Sequence, residues 1–104
     1  MTLAELQATV DEWIRRNGGY WDKFQILARL TEELGETASA LQRQEGLRPR
    51  KVEADLGGEV GDLLFTLAAF ANATGIDLEE SVGKAIDKYN ARDAQDWQKV
   101  KTKA

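Results

Sequence analysis

Residues 27–41 read LARLTEELGETASAL, and the period hidden in this stretch decides the fold class. Leu27, Leu30, Leu34 and Leu41 fall within roughly a 60° sector when each residue turns by about 100°. A strand would alternate at every second position instead. Followed outward, the helical pattern runs from about Trp21 to Glu45, where Gly46 and the Arg48-Pro49-Arg50 turn close it. Arg29, Glu32, Glu33 and Glu36 form a charged stripe directly beside the leucines.

The same period recurs three times. A first helix opens after Thr2, with Glu5 completing a Thr-x-x-Glu capping box. It carries Leu3, Leu6, Val10, Trp13 and Ile14 on one face and stops at Asn17-Gly18-Gly19. A third helix spans about Val52 to Thr74, with Val52, Leu56, Val60, Leu63, Leu67 and Phe70 on one face and Gly75 as its stop. From Leu63 onward it is apolar around most of its circumference, with Phe65 off the main stripe. Such a helix is buried on all sides, which a chain of 104 residues cannot readily achieve alone. Self-association is therefore expected. A fourth helix starts at Asp77 with Glu80 as its capping partner and turns Leu78, Val82, Ala85, Ile86 and Tyr89 inward. Residues 91–104 form a charged tail, expected to be partly frayed. The fold class is thus all-α, a single domain over residues 1–104.

Composition narrows the chemistry. The chain has no cysteine and no histidine, which excludes thiolate sites, disulfides and imidazole bases or ligands. Metal chemistry must then use oxygen ligands, and these suit magnesium, manganese or calcium. A net charge of −4 argues against a nucleic-acid or membrane-surface binder. The opening MTLAELQATV lacks a basic region followed by an apolar run, and the apolar stretch Leu63 to Ala73 is short for a bilayer, so a cytoplasmic location is expected.

Two acidic clusters stand out, Glu32-Glu33-Leu34-Gly35-Glu36 and Glu59-Val60-Gly61-Asp62. Glu33 and Glu36, like Glu59 and Asp62, are three residues apart, so each pair leaves one side of its helix about 5–6 Å apart. Both clusters border the apolar seam where the two helices should pack antiparallel. Carboxylates gathered there repel one another unless a hard divalent cation joins them. A glycine inside each cluster costs about 1 kcal/mol against alanine in a helix, which suggests close approach by a helix, metal or ligand at Gly35 and Gly61. Lys84, Lys88 and Arg92 follow at i, i+4 and i+8 along one edge of the fourth helix, suited to phosphate oxygens beside a metal or to the helix dipole. Surface acids on amphipathic helices are the plainer reading of the clusters.

These segments resemble the E-E-x-x-E…E-x-x-D signature of the MazG-like all-α nucleoside triphosphate pyrophosphohydrolases, with 22 residues between Glu36 and Glu59. The likeness extends to Tyr20-Trp21, to Ala71-Asn72-Ala73-Thr74-Gly75-Ile76-Asp77-Leu78-Glu79-Glu80, and to Lys88-Tyr89-Asn90-Ala91-Arg92-Asp93. It implies a bundle of four to five helices assembled as a homodimer or a dimer of dimers. It also implies magnesium-dependent hydrolysis of (d)NTP to (d)NMP and pyrophosphate in nucleotide-pool house-cleaning, with manganese as a substitute ion. By position it assigns Glu33, Glu36, Glu59 and Asp62 as metal ligands and Glu32 or Glu33 as the catalytic base or water-orienting group. Arg29, Lys88 and Arg92, with Lys84 in the same row, would bind phosphate. Arg29 stands where lysine is common, which changes its contact geometry. Trp21, Phe24 and Asn90 are candidates for contacting the base, with Trp97 as a further aromatic. The substrate could be a common nucleotide such as dUTP or dCTP, or a histidine-pathway nucleotide. The competing expectation is a catalytically silent helical oligomerisation module. A di-iron bundle is disfavoured by the absence of Glu-x-x-His pairs, and an EF-hand by the absence of an Asp-x-Asp-x-Asp-Gly loop.

Overall fold

Thr2 begins the structure as the sequence requires: its hydroxyl accepts from the Glu5 N–H and the Glu5 carboxylate accepts from the Thr2 N–H, both at 3.1 Å. The computed structural model describes residues 1–49 and 54–103. Five α-helices follow in order: α1 Leu3–Arg16, α2 Lys23–Gln44, α3 Leu56–Thr74, α4 Leu78–Lys88 and α5 Ala94–Lys103. A π-helical turn, Tyr89–Asp93, joins α4 to α5. No strand occurs among the described residues.

Local chemistry sets most boundaries. Gly18 and Gly19, with φ of 108° and 92°, turn the chain out of α1 through a region open to glycine. Asp22 caps α2 through the Phe24 N–H, so α2 starts two residues after Trp21. Asp55 caps α3 through the Gly58 N–H, which places its start after the expected Val52. Val52 and Arg50 lie outside the described residues. Gly75 closes α3 in the left-handed conformation. Asp77 caps α4 through the Glu80 N–H at 3.1 Å, while the Glu80 carboxylate turns to Lys84 rather than back to the cap. The expected charged tail from Ala91 is helical over its described residues, running through the π turn into α5.

Tertiary packing departs from the expected stripes. α2 lies against α3, and α1 packs across α3 and α4. The core consists of Val10, Ile14, Ile26, Ala68 and Ala69, flanked by Leu6, Tyr20, Phe70, Ala73 and Leu78. On α2 the buried positions are Ile26, Glu33 and Ala40, a face rotated by one residue from the leucines. Leu27, Leu34 and Leu41 are exposed. On α3 the buried residues are Thr66, Ala68, Ala69 and Ala71, while Val60, Leu64 and Leu67 face outward. α4 buries none of its residues, and Val82, Ile86 and Tyr89 are exposed. Small side chains let the helices approach within one chain, and the large aliphatics are left on its surface.

Gln7 is the main polar tie between α1 and the turn from α3 to α4. Its Nε2 donates to Asn72 Oδ1 at 3.0 Å and to the Ile76 carbonyl at 2.8 Å. Its Oε1 accepts the Leu78 N–H at 2.9 Å, and its own carbonyl accepts from Asn72 Nδ2. No helix among the described residues is long and apolar enough to cross a membrane.

Candidate metal centre and its aromatic cleft

The rotation of α2 carries Glu33 inward, where it is only 2% exposed. The Thr37 hydroxyl, one turn on, lies 2.8 Å from the Glu33 carbonyl and 3.4 Å from the Glu59 carbonyl, pinning α2 against α3. Thr66, one turn beyond Asp62, donates to the Asp62 carbonyl at 2.9 Å. Of these bonds the Thr37–Glu59 contact joins the two acidic helices, and the other two lie within one helix each. One carboxylate oxygen from each of Glu33, Glu59 and Asp62 then lies within 4.8 Å of the others.

The electrostatics of this cluster are unfavourable without a cation. Burial pushes the Glu33 carboxyl above its usual range; Arg29 opposes that, and the charges of Glu36, Asp62 and Glu32 add to it. Burial likewise raises Glu59, reinforced by the charge of Glu36 and by a carboxyl–carboxyl contact with it that needs a shared proton. Glu33 Oε2 and Glu59 Oε2 are both buried with no hydrogen-bond partner. An orphaned carboxylate oxygen is expensive to bury, and two of them facing a third acid suit a hard divalent ion. Glu33, Glu59 and Asp62 therefore fit such an ion as inner ligands, with Glu36 at the rim beside Glu59.

Arg29 bridges to the cluster from one turn upstream. Its Nη2 lies 2.7 Å from Glu33, and its Nη1 3.4 Å from Glu32. Glu32 itself is exposed. Beside these groups opens a cleft of about 440 Å³, lined by Trp13, Asn17, Tyr20, Trp21, Arg29, Glu33, Asp62, Phe65 and Thr66 among others, a size typical of small-molecule sites. Trp13 and Phe65 meet edge to face at 5.5 Å. Tyr20 is held by its hydroxyl, which donates to Asp11 at 2.5 Å, with the Arg15 guanidinium 5.8 Å from its ring centre. Asn17 donates its Nδ2 to the Trp13 carbonyl at 2.8 Å.

The structure thus brings together Glu33, Glu59, Asp62, Arg29 and Trp21, with Glu36 and Glu32 on the margin. It does not bring Phe24 or Asn90 to the cleft. Phe24 is exposed, with the Lys23 ammonium 5.5 Å from its ring centre, and Asn90 lies in the π turn. Lys84 pairs with Glu80 at 2.9 Å, the Lys88 ammonium lies 5.2 Å from the Tyr89 ring centre, and Arg92 sits in the π turn; none of the three lines the cleft. Among the described residues of the chain, no other helix approaches Gly35 or Gly61, since a Cβ at either would meet nothing within 4 Å. Trp13, Asn17 and Phe65 escaped the sequence reading as cleft residues. The displacement of Phe65 from its helix's apolar stripe was the one local signal.

The family described as the MazG nucleotide pyrophosphohydrolase domain matches residues 23–97. YpjD, an uncharacterized protein of Bacillus subtilis (strain 168), is 39% identical over 100 residues, covering 92% of this chain and 90% of its own length. The crystal structure of YpjD from Bacillus subtilis superposes with a TM-score of 0.77 at 38% identity, covering 86% of this chain and 96% of that one. The Bacillus-conserved MazG protein, a nucleotide pyrophosphohydrolase, gives a TM-score of 0.76 at 34% identity, over 88% of this chain and 93% of that one.

Proposed function

The chain belongs to the MazG nucleotide pyrophosphohydrolase family, and from that premise we propose that it hydrolyses nucleoside triphosphates to monophosphate and pyrophosphate with magnesium as cofactor. One observation carries this reading: three carboxylates converge within 4.8 Å, two of them with orphaned buried oxygens, at the mouth of an aromatic-lined cleft. Surface acids would keep their water and would have no adjoining cavity. Magnesium, with manganese as a substitute, would supply charge neutralisation on phosphate and a bound water of lowered pKa.

The residues then divide the work. Glu33, Glu59 and Asp62 hold the ion, with Glu36 closing the set. Glu32 lies outside the three-acid cluster, so its carboxylate is available to orient the attacking water and take its proton. Water adds across the α–β phosphoanhydride: its oxygen joins one phosphorus, the bridging oxygen departs on the other, and both products leave as phosphate anions. Arg29 exchanges part of its contact with Glu33 for a phosphate oxygen. Trp13, Trp21 and Phe65 offer apolar faces on which a base can stack. In this reading the activity would serve to clear the nucleotide pool.

The test is a pyrophosphate-release assay over the common NTPs and dNTPs with and without magnesium. Release should require the ion, and Glu36→Gln or Asp62→Asn should abolish it while the helical circular dichroism is retained. Normal release by either variant would overturn the assignment. A helical oligomerisation module shares the exposed apolar faces, and it would be favoured if the wild-type chain releases no pyrophosphate with any nucleotide.

A further inference from the structure

One wall of the cleft runs from the acids to an uncharged amide. Phe65 stands one turn after Asp62 on α3, and Trp13 meets it edge to face at 5.5 Å. Asn17 stands one turn after Trp13, at the C-terminal end of α1, and also lines the cleft. The aromatic pair thus links the acidic cluster to Asn17. A base stacked on that pair, with its phosphates toward the acids, has its far edge within reach of the amide.

The amide is held in one orientation. Asn17 Nδ2 donates to the Trp13 carbonyl at 2.8 Å, and the Asn17 N–H reaches the Trp13 and Ile14 carbonyls at 3.1 Å. Turning the amide over would set Oδ1 against the Trp13 carbonyl, one acceptor facing another. Oδ1 and the second Nδ2 hydrogen have no partner among the described residues, so one acceptor and one donor stand open in a fixed order. Neighbouring neutral groups do not offer the same. Tyr20 and Thr66 turn their hydroxyls to Asp11 and to the Asp62 carbonyl, and the indoles of Trp13 and Trp21 only donate.

Local charge decides which base suits that order. Cytosine and adenine present an exocyclic amino donor beside a ring-nitrogen acceptor, whereas uracil, thymine and guanine present a carbonyl beside an N–H. An amide that cannot turn over pairs well with one of these patterns. Asn17 sits where the last carbonyls of α1 form the negative end of the helix dipole. The arginines of that turn, Arg15 and Arg16, are drawn off to Asp11 at 2.9 Å and Glu12 at 3.9 Å. A base carbonyl there meets like partial charge; an amino group meets the opposite. We propose that Asn17 is the specificity-determining residue of the cleft, accepting a hydrogen bond from the exocyclic amino group of a cytosine or adenine nucleotide and disfavouring keto bases. The proposal rests on the nucleotide-hydrolysing reading above and deepens it by naming the class of base.

The pair dCTP and dUTP tests it, since the two differ only at this edge. The wild-type kcat/KM should favour dCTP by about tenfold to a hundredfold, the range that a well-made base contact supports. Asn17→Ala should bring the ratio close to one, and Asn17→Asp, which keeps an acceptor, should retain part of the preference. A wild type that is indifferent or favours dUTP would overturn the proposal. So would an Asn17→Ala chain that loses rate on both nucleotides alike and keeps the ratio, which is what a merely structural helix cap would do. A second readout does not depend on turnover. The α,β-methylene analogues of dCTP and dUTP, titrated with magnesium against tryptophan fluorescence, should show the same preference in Kd and the same loss in Asn17→Ala. If no nucleotide releases pyrophosphate, the hydrolase reading falls, while a Kd preference abolished by Asn17→Ala still upholds the role of Asn17. Equal Kd values for the two analogues, or no binding of either, would overturn that role.

Discussion

A carboxylate that loses its water must gain a proton, a donor or a cation, and Glu33 and Glu59 have not gained enough of these. Glu33 has Arg29 on one oxygen and nothing on the other, and Glu59 faces Glu36. Both are therefore shifted upward, and the sign of the stability effect follows. Between the ordinary glutamate value of about 4.3 and the raised native values, the folded chain holds protons that the unfolded chain has released. In EDTA, stability should fall as pH rises through that window. Asp11 works oppositely and lower: the Tyr20 hydroxyl and Arg15 hold it below the usual range, so its contribution is present above the unfolded aspartate value and is lost as pH falls through the native one. Magnesium should reverse the upper trend by binding the ionised cluster of the native state. Thermal melts from about pH 5 to pH 8, with magnesium and with EDTA, should diverge as pH rises. A melting temperature indifferent to the ion at every pH would count against the metal centre.

At the scale of the helices, one glutamine sets how α1 meets the others. Gln7 satisfies the Leu78 N–H at the start of α4, the Ile76 carbonyl and the Asn72 amide together. Gln7→Ala removes the side-chain partner of the partly buried Leu78 N–H and Asn72 Oδ1, at about 1–3 kcal/mol by the usual cost of an unsatisfied group. Chemical denaturation should show that loss, and Asn72→Ala should give a similar one. The two losses should not add in the double variant, because the partners are shared. Additive losses would mean that the two side chains act independently. Since α1 supplies Trp13 and Asn17 to the cleft, loosening this tie should also weaken nucleotide binding without touching an acid.

For the whole molecule, the unusual fact is where the large apolar residues lie. Leu34 is 57% exposed although it adjoins a glutamate that is 2% exposed. Burial of apolar surface contributes roughly 25 cal/mol per Å², so faces of this extent strongly favour association. Leu34→Glu should shift the chain toward monomer in light scattering. It should lower the melting temperature and reduce pyrophosphate release, although Leu34 is not among the residues lining the cleft. A Leu34→Glu chain that remains assembled and fully active would show that α2 does not contribute the interface.

Some of this was written plainly in the chain. The helical class, the Thr2–Glu5 cap, the Asp77 start, the Gly75 stop and the two i, i+3 acid pairs depend on residues a few positions apart, and local periodicity and capping chemistry are enough to read them. The acidic motifs also carried the family. What no local pattern could determine was which face of α2 turns inward. An apolar stripe signals that it will be covered, but hydrophobic burial has no direction, so Leu27, Leu34 and Leu41 read equally well as core or as interface. Only the tertiary packing, with Ile26 in one core with Ala68 and Ala69 of α3, turned Glu33 into the interior, joined Trp13 and Phe65 into a cleft, and left Lys88 and Arg92 outside it. Those outcomes depend on contacts between residues far apart in the sequence.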